Sequence, residues 1–281
     1  MAVVPDFILK LLLKNIRMEN NLWQHILQVK NTSPLVHNIT NYVVMNSTAN
    51  ALLAIGASPI MAHSKSEVED MVTISHSLVI NIGTLDEYWV EGMLIAAQKS
   101  NELQKPWILD PVGAGATAYR DSVLSQLLAF NPTVIRGNAS EIIALAKANT
   151  AITKGVDSTA QSDEAVEAAK TLVQNYNSVV CISGETDIII DGNQIIYLKN
   201  GHPMMTKVTG LGCTASAMIG AFIGVIEDKT EAVVSAMSLI GVAGELAAQK
   251  SSGPGSLQLN LIDKLYNLTE EEFLSHLKLV K

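Results

Sequence analysis

The chain of 281 residues is poor in cysteine, in basic charge and in long unbroken apolar runs, and each shortage closes off a class of protein. Only Cys181 and Cys213 are present, with neither metal-ligand nor CxxC spacing. A cysteine-based metal module is excluded, and a reducing compartment fits better than a disulfide framework, which could hold one bridge at most. Acidic residues outnumber basic ones, 27 to 19, for a net charge of -8. That balance speaks against a nucleic-acid partner and suits a cytoplasmic enzyme, while leaving room for a local anion site. The apolar run at 7–16 carries Lys10 and Lys14, is too short to span a bilayer and lacks an Ala-x-Ala site. Residues 1–17 are therefore expected to be an extension, fold-peripheral or non-native, with Met18 opening the first helix. No other run crosses a bilayer's thickness without charges or breakers, so no membrane partner is expected. Repeats, low-complexity stretches and dividing linkers are also missing, and 18–281 is expected to form a single domain.

What remains is a chain that is 48% hydrophobic and strongly alternating. Apolar strands are expected at 35–41, 59–62, 77–82, 107–111, 133–138 and 178–184. Helices are expected at 21–30, 43–53, 67–75, 89–101, 122–129, 139–147 and 163–175. Such alternation implies an α/β fold with a parallel sheet covered on both faces. Asp191-Gly192-Asn193 splits 187–190 from 194–198 and signals a hairpin, hence antiparallel strands at one edge. Helices at 213–225 and 231–250, a loop at 251–256, and helices at 257–266 and 270–279 complete the chain.

Polar residues gather at strand ends: Asn38, Asn41, Asp110, Arg136, Asn138 and Ser183. In an open parallel sheet ligands bind beyond the carboxyl ends of the strands, so these groups are expected to face one crevice. The stretch Lys207-Val208-Thr209-Gly210-Leu211-Gly212-Cys213-Thr214-Ala215-Ser216-Ala217 reads as a glycine loop entering a buried helix. Gly210 and Gly212 expose successive N–H groups, and the helix N-terminus adds a positive field suited to an anion. Cys213 stands where that field favours loss of the thiol proton. The plain structural alternative is a glycine cap before a packed cysteine, and the stretch alone leaves both open.

Nine blocks in order carry a resemblance. They are Ser33-Pro34-Leu35-Val36-His37 with Ile39-Thr40-Asn41, Thr48-Ala49-Asn50 through Gly56-Ala57-Ser58-Pro59-Ile60-Met61, Asn81-Ile82-Gly83-Thr84-Leu85, Asp110-Pro111-Val112-Gly113-Ala114-Gly115-Ala116, Arg136-Gly137-Asn138-Ala139-Ser140-Glu141, Lys154-Gly155-Val156-Asp157, Ser183-Gly184-Glu185, Lys207 to Cys213, and Gly253-Pro254-Gly255-Ser256. From about residue 20 to the end, the sequence resembles the hydroxyethylthiazole kinases of the ribokinase-like superfamily. The superfamily's usual DTxGAGD motif ends in an Asp base, and the thiazole kinases resemble this chain in placing Cys there.

The resemblance implies a three-layer α/β/α fold with a mostly parallel central sheet. It implies transfer of the ATP γ-phosphate to the hydroxyethyl group of a thiazole alcohol on the way to thiamine, with Mg²⁺, in a homotrimer with active sites between subunits. Cys213 becomes the general base, assisted by the N–H groups of Gly210 and Gly212. Arg136, Ser183 and Asn138 are expected at ATP, Met61, Gly210 and Asn41 at the thiazole, and Asp110 and Glu141 at the metal. An ordinary thiol is mostly protonated at neutral pH, so a weak base and modest turnover are expected. Leu211 and Ser183 depart from the family's commoner Ala and Thr. His37, Trp107 and Cys181 read as structural. The alternatives are another ribokinase-like alcohol or pyrimidine kinase, and an ADP-binding hydro-lyase of the superfamily, which would want Asp in place of Cys213.

Overall fold

The computed structural model describes residues 21–149 and 161–280. The extension at 1–17 and the block at 154–157 lie outside the described residues. In order the elements are α1 (21–32), β1 (Leu35–Ile39), α2 (Met45–Ala54), β2 (Ser58–Ile60), α3 (Val68–Ile74), β3 (Ser77–Asn81), α4 (Glu87–Glu102), β4 (Trp107–Asp110), α5 (Ala118–Leu128), β5 (Val134–Asn138), α6 (Ala139–Asn149) and α7 (Gln161–Tyr176). Then come β6 (Val179–Ser183), β7 (Asp187–Ile190), β8 (Ile195–Leu198), a 3₁₀ turn (Pro203–Lys207), α8 (Leu211–Ile223), α9 (Lys229–Gln249), α10 (Pro254–Asn267), α11 (Glu270–His276) and β9 (Leu279–Val280).

The strands form one sheet in the order β2-β1-β3-β4-β5-β6-β7-β8-β9. Pairings from β2 through β6 are parallel, and those from β6 to β9 are antiparallel. Successive residues of a strand face opposite sides of a sheet, so each strand feeds two cores. Val79, Ile108, Val134 and Cys181 meet α1, α2, α8, α9 and α10 on one face. Leu78, Ile80, Leu109, Ile135 and Val180 meet α3 to α7 on the other. The expected three-layer α/β/α architecture and late hairpin are both present, and Cys181 and Trp107 are core residues.

α8 lies close on the sheet because Gly220 has no side chain. A Cβ there would sit 2.5 Å from Val79 Cγ2. The Ser77 hydroxyl fixes the contact by donating to the Gly220 carbonyl at 2.6 Å. α9 has the length and apolarity to cross a membrane, yet 89% of its apolar window is buried inside this fold.

Boundaries moved at several places, the start of α5 from 122 to Ala118 among them. α10 begins at Pro254, within the stretch expected to be loop. Proline suits the first helical position because its missing N–H has no intrahelical partner to lose, and Ser256 Oγ closes the turn by accepting from Gly253 N at 3.2 Å. α11 stops at His276, short of the expected 279, and the chain straightens to pair with the open edge of β8. α8 starts two residues early, at Leu211, which brings Gly212 and Cys213 into its first turn.

His37 is wholly buried in β1. Its Nε2–H donates to the Ala62 carbonyl at 2.8 Å, leaving Nδ1 buried and bare. Burial holds its pKa down, from the ordinary 6.5 to about 4. The folded state therefore keeps His37 neutral while the unfolded chain takes up a proton below pH 6.5. Stability from this group is complete above that pH and drains away as pH falls toward 4, by about 3 kcal/mol. In urea unfolding at pH 7.5 and 4.5, His37→Gln is expected to show a smaller acid loss than wild type. Equal losses would remove His37 as the source.

Candidate active site

From β1 the chain runs outward to β2 and then crosses to β3 on the other side of β1. This reversal opens a crevice between the carboxyl ends of β1 and β3. Asn41 follows one strand and Asn81 ends the other. Asn41 Nδ2 donates to Asn81 Oδ1 at 2.9 Å and to Cys213 Sγ at 3.4 Å. The Gly83 N–H also donates to Asn81 Oδ1, which fixes that amide's orientation. Asn81 Nδ2 then donates to Asp110 Oδ2 at 2.7 Å, and the Ser216 hydroxyl donates to the same oxygen at 2.8 Å. A polar chain thus leads from Cys213 through two amides to a buried carboxylate.

The first turn of α8 is bare. Gly210 takes φ +80°, and a Cβ there would strike Val44, so the position requires glycine. No side chain caps the helix, and the first helical bond runs from Thr214 N to Gly210 O at 2.9 Å. The N–H groups of Gly210, Leu211, Gly212 and Cys213 have no acceptor among the described residues. A Cβ on Gly212 would lie 2.7 Å from Arg136 Nη1, so the missing side chain is what lets the guanidinium reach this turn. Arg136 forms no ion pair among the described residues, and its Nε is buried without a partner. A fixed cation and the positive end of a helix therefore converge, an arrangement that an anion would satisfy. Beside them opens a cavity of about 810 Å³, lined by Arg136, Ser183, Asp187, Met205, Leu211 and Gly212 among others.

Asp110 is 1% exposed. Burial raises its pKa from 3.8 to about 6, against the opposing pull of Arg136 and the Ser216 and Asn81 bonds, and Glu141 adds to the rise. Its Oδ1 is buried and unpartnered. Glu141 closes a capping box at the start of α6: its Oε2 accepts from Asn138 N at 2.9 Å, and Asn138 Oδ1 accepts from Glu141 N at 2.9 Å. Glu141 Oε1 also accepts from Gly113 N at 3.0 Å, tying in the second glycine loop. The Ser183 hydroxyl donates to the Gly137 carbonyl at 3.3 Å on the cavity wall.

The thiol of Cys213 departs from the expected direction. Burial pushes its pKa up, and the charge of Asp110 adds to that. Bonds from Asn81 and Asn41 and the field of Arg136 pull it down without prevailing. The position in the first turn does not by itself produce a thiolate.

Asn41 and Cys213 are joined directly, whereas Arg136, Ser183 and Gly212 share the cavity. Met61 sits half-buried beyond β2, on the β1 side of the crevice. Asn138 reaches α6 as a cap, with its side-chain oxygen accepting twice. Four contributors went unassigned in the sequence. Asn81 ends an apolar strand as Asp110 does, a signal that could have found it. Ser216 follows Gly212 by four positions on a helix of small residues. Asp187 lines the cavity, with burial raising its pKa to about 6. Arg120 clamps the loops after β3 and β4 by donating to the carbonyls of Ile82, Val112 and Gly83, and nothing in its neighbourhood in sequence marks it.

Since the folded pKa of Asp110 lies above its unfolded value, its ionisation opposes folding. The penalty is absent below pH 4 and complete above pH 6, at about 3 kcal/mol. In Asp110→Asn the carbonyl oxygen can accept both existing bonds, so the variant is expected to be more stable at pH 7.5 and level with wild type at pH 4. Urea midpoints at the two pH values test this, and a variant weaker at both would contradict it.

Residues 26–271 match the hydroxyethylthiazole kinase family. The chain is 57% identical over 261 residues to the hydroxyethylthiazole kinase of Syntrophus aciditrophicus, covering 92% of this chain and 97% of that one. A solved hydroxyethylthiazole kinase structure from Pyrococcus horikoshii is 39% identical with a TM-score of 0.86, over 93% of this chain and 98% of that one. A ribokinase-like superfamily protein of Enterococcus faecalis, 14% identical with a TM-score of 0.60 over 82% of this chain and 86% of that one, shares the fold. On sequence and structure together, the chain belongs to the hydroxyethylthiazole kinase family.

Proposed function

We propose that this protein transfers the γ-phosphoryl group of ATP to the hydroxyethyl group of 4-methyl-5-(2-hydroxyethyl)thiazole, a cytoplasmic salvage step toward thiamine. The observation that carries the reading is the bare first turn of α8. It faces the cavity and Arg136 on one side and holds the Asn41–Cys213 pair on the other. ATP occupies the cavity with its phosphates toward Arg136, Ser183 and the free N–H groups, and Asn138 borders them. The thiazole lies on the Asn41 side, against Met61 and Gly210. A thioether suits a flat sulfur heterocycle. Residues 18–281 act as one catalytic domain, and the enzyme works as a homotrimer whose sites lie between subunits.

The donor set fits Mg²⁺. Asp110 offers an unpartnered buried oxygen and Glu141 lies near enough to add to its charge. No cluster of three or more metal-ligating side chains exists among the described residues. A cation that keeps its waters and takes phosphate oxygens needs few protein ligands. Bound there, Mg²⁺ would neutralise charge on the β- and γ-phosphates.

Arg136 and the α8 N–H groups orient the triphosphate and stabilise the charge shifted toward ADP. Asn41 positions Cys213. The substrate hydroxyl gives its proton to the Cys213 thiolate as its oxygen bonds phosphorus and the bond to ADP breaks. Burial and Asp110 keep that thiolate a minor species at neutral pH. A loose phosphoryl transition state tolerates this, since positioning and charge neutralisation do most of the work.

Purified protein with ATP and Mg²⁺ should phosphorylate the thiazole alcohol in preference to a panel of sugars, pyrimidines and vitamin alcohols. Turnover of a sugar or pyrimidine with none of the thiazole would overturn the reading. Cys213→Ala should lower kcat by about 100-fold. Cys213→Asp should retain turnover, because a carboxylate is ionised at neutral pH. As the pKa of Cys213 is raised, wild-type kcat should climb with pH above 7, and the Asp variant should lack that climb. Full activity in Cys213→Ala would reduce the thiol to packing.

A further inference from the structure

The outer wall of the cavity is formed by Lys199, Asn200, Gly201, His202 and Pro203, which no motif marks. This wall is held from behind by a buried carboxylate on α9. Glu245, 8% exposed, accepts from Gly201 N at 2.9 Å and from Asn200 Nδ2 at 3.2 Å. Both of its oxygens also accept from Lys278 Nζ at 2.9 Å. Asn200 completes the junction, with Nδ2 donating to the His276 carbonyl at 2.8 Å and Oδ1 accepting from Lys278 N at 2.8 Å. The wall is thereby tied at once to α9 and to the start of β9.

Two glycines show how tightly it is seated. A Cβ on Gly241 would lie 2.7 Å from Asn200 Cβ, and one on Gly244 would strike the Met205 sulfur. Gly241, Met205 and Asn200 all line the cavity. Lys278 lies beyond residues 26–271, the part matched to the family.

We infer that Glu245 is a positioning residue for the nucleotide, holding the 199–203 wall through Gly201 and Asn200 with Lys278 as its counter-charge. The inference rests on the cavity being the ATP site. Glu245 touches neither the crevice at Asn41 nor Cys213, so its influence is confined to the nucleotide side. Removing the carboxylate leaves the Gly201 N–H and one Asn200 donor bond unmet and frees the wall, whereas a glutamine oxygen can still accept both.

The test is ADP binding by titration calorimetry, which needs no acceptor alcohol, alongside steady-state kinetics with ATP and the thiazole alcohol. Glu245→Ala is expected to weaken ADP binding and raise KM for ATP about tenfold, with kcat and KM for the alcohol within about twofold. Glu245→Gln should restore both to within about threefold of wild type. Wild-type ADP affinity in folded Glu245→Ala, or equal losses for nucleotide and alcohol, would overturn the inference. Should the alanine variant fail to fold, Lys278→Met decides: a threefold or greater loss of ADP affinity supports the latch, and unchanged affinity refutes it. If wild type binds ADP but does not phosphorylate the thiazole, the proposed substrate falls while the latch stands.

Discussion

The arrangement depends on two positive centres brought together without a protein anion to join them. Arg136 reaches from β5 to the first turn of α8, beside the bare N–H groups of that turn. Asp110 lies close enough to feel the charge of Arg136, which pulls its pKa down against burial without pairing with it. The contact exists only because residue 212 has no side chain. The left-handed turn at Gly210, the close seating of α8 at Gly220 and the cavity beside Leu211 all serve to keep this one helix end open and in position.

α8 also couples the two halves of the site by its own periodicity. Gly212 faces Arg136, Cys213 meets Asn41, and Ser216 reaches Asp110 one turn further on. A shift of the helix would therefore disturb the anion side, the thiol and the buried carboxylate together. The cost is visible in the protonation of the groups: burial raises both Asp110 and Cys213, and the charge of Asp110 adds to the rise of the thiol. The same proximity holds the thiol toward its protonated form.

Much of this was legible in the residues. Strand–helix alternation reported the layers, and the polar strand ends reported the end of the sheet where Asp110 and Arg136 gather by α8, because both follow from local pattern. Gly210 and Gly212 announced a special backbone, and the structure adds what each makes room for, Val44 and Arg136. The direction of the Cys213 shift was not legible. A helix N-terminus can be read locally, but desolvation and the approach of Asp110 come from elements far away in the chain. The resemblance implies Glu141 at the metal and Asn138 at ATP, while their observed bonds form a helix cap. The cap does not displace the motif reading; it shows that the same side chains hold α6 in place. Arg120 and β9 escaped notice because each takes its meaning from a distant partner. The last strand exists because β8 offers an open edge, and no propensity at 279–280 requires it.

The two ends of the sheet have a consequence for how the molecule meets its own kind. One border is the three-residue β2, whose middle position is Pro59, and the other is the two-residue β9. A proline has no N–H to offer a neighbouring strand, and two residues are too few to template a ladder. Among the described residues, the nine-stranded sheet therefore ends in borders poorly suited to growth. Neither border favours pairing with a further strand, which leaves side-chain surfaces, where shape and charge can choose the partner, as the better ground for contact between copies.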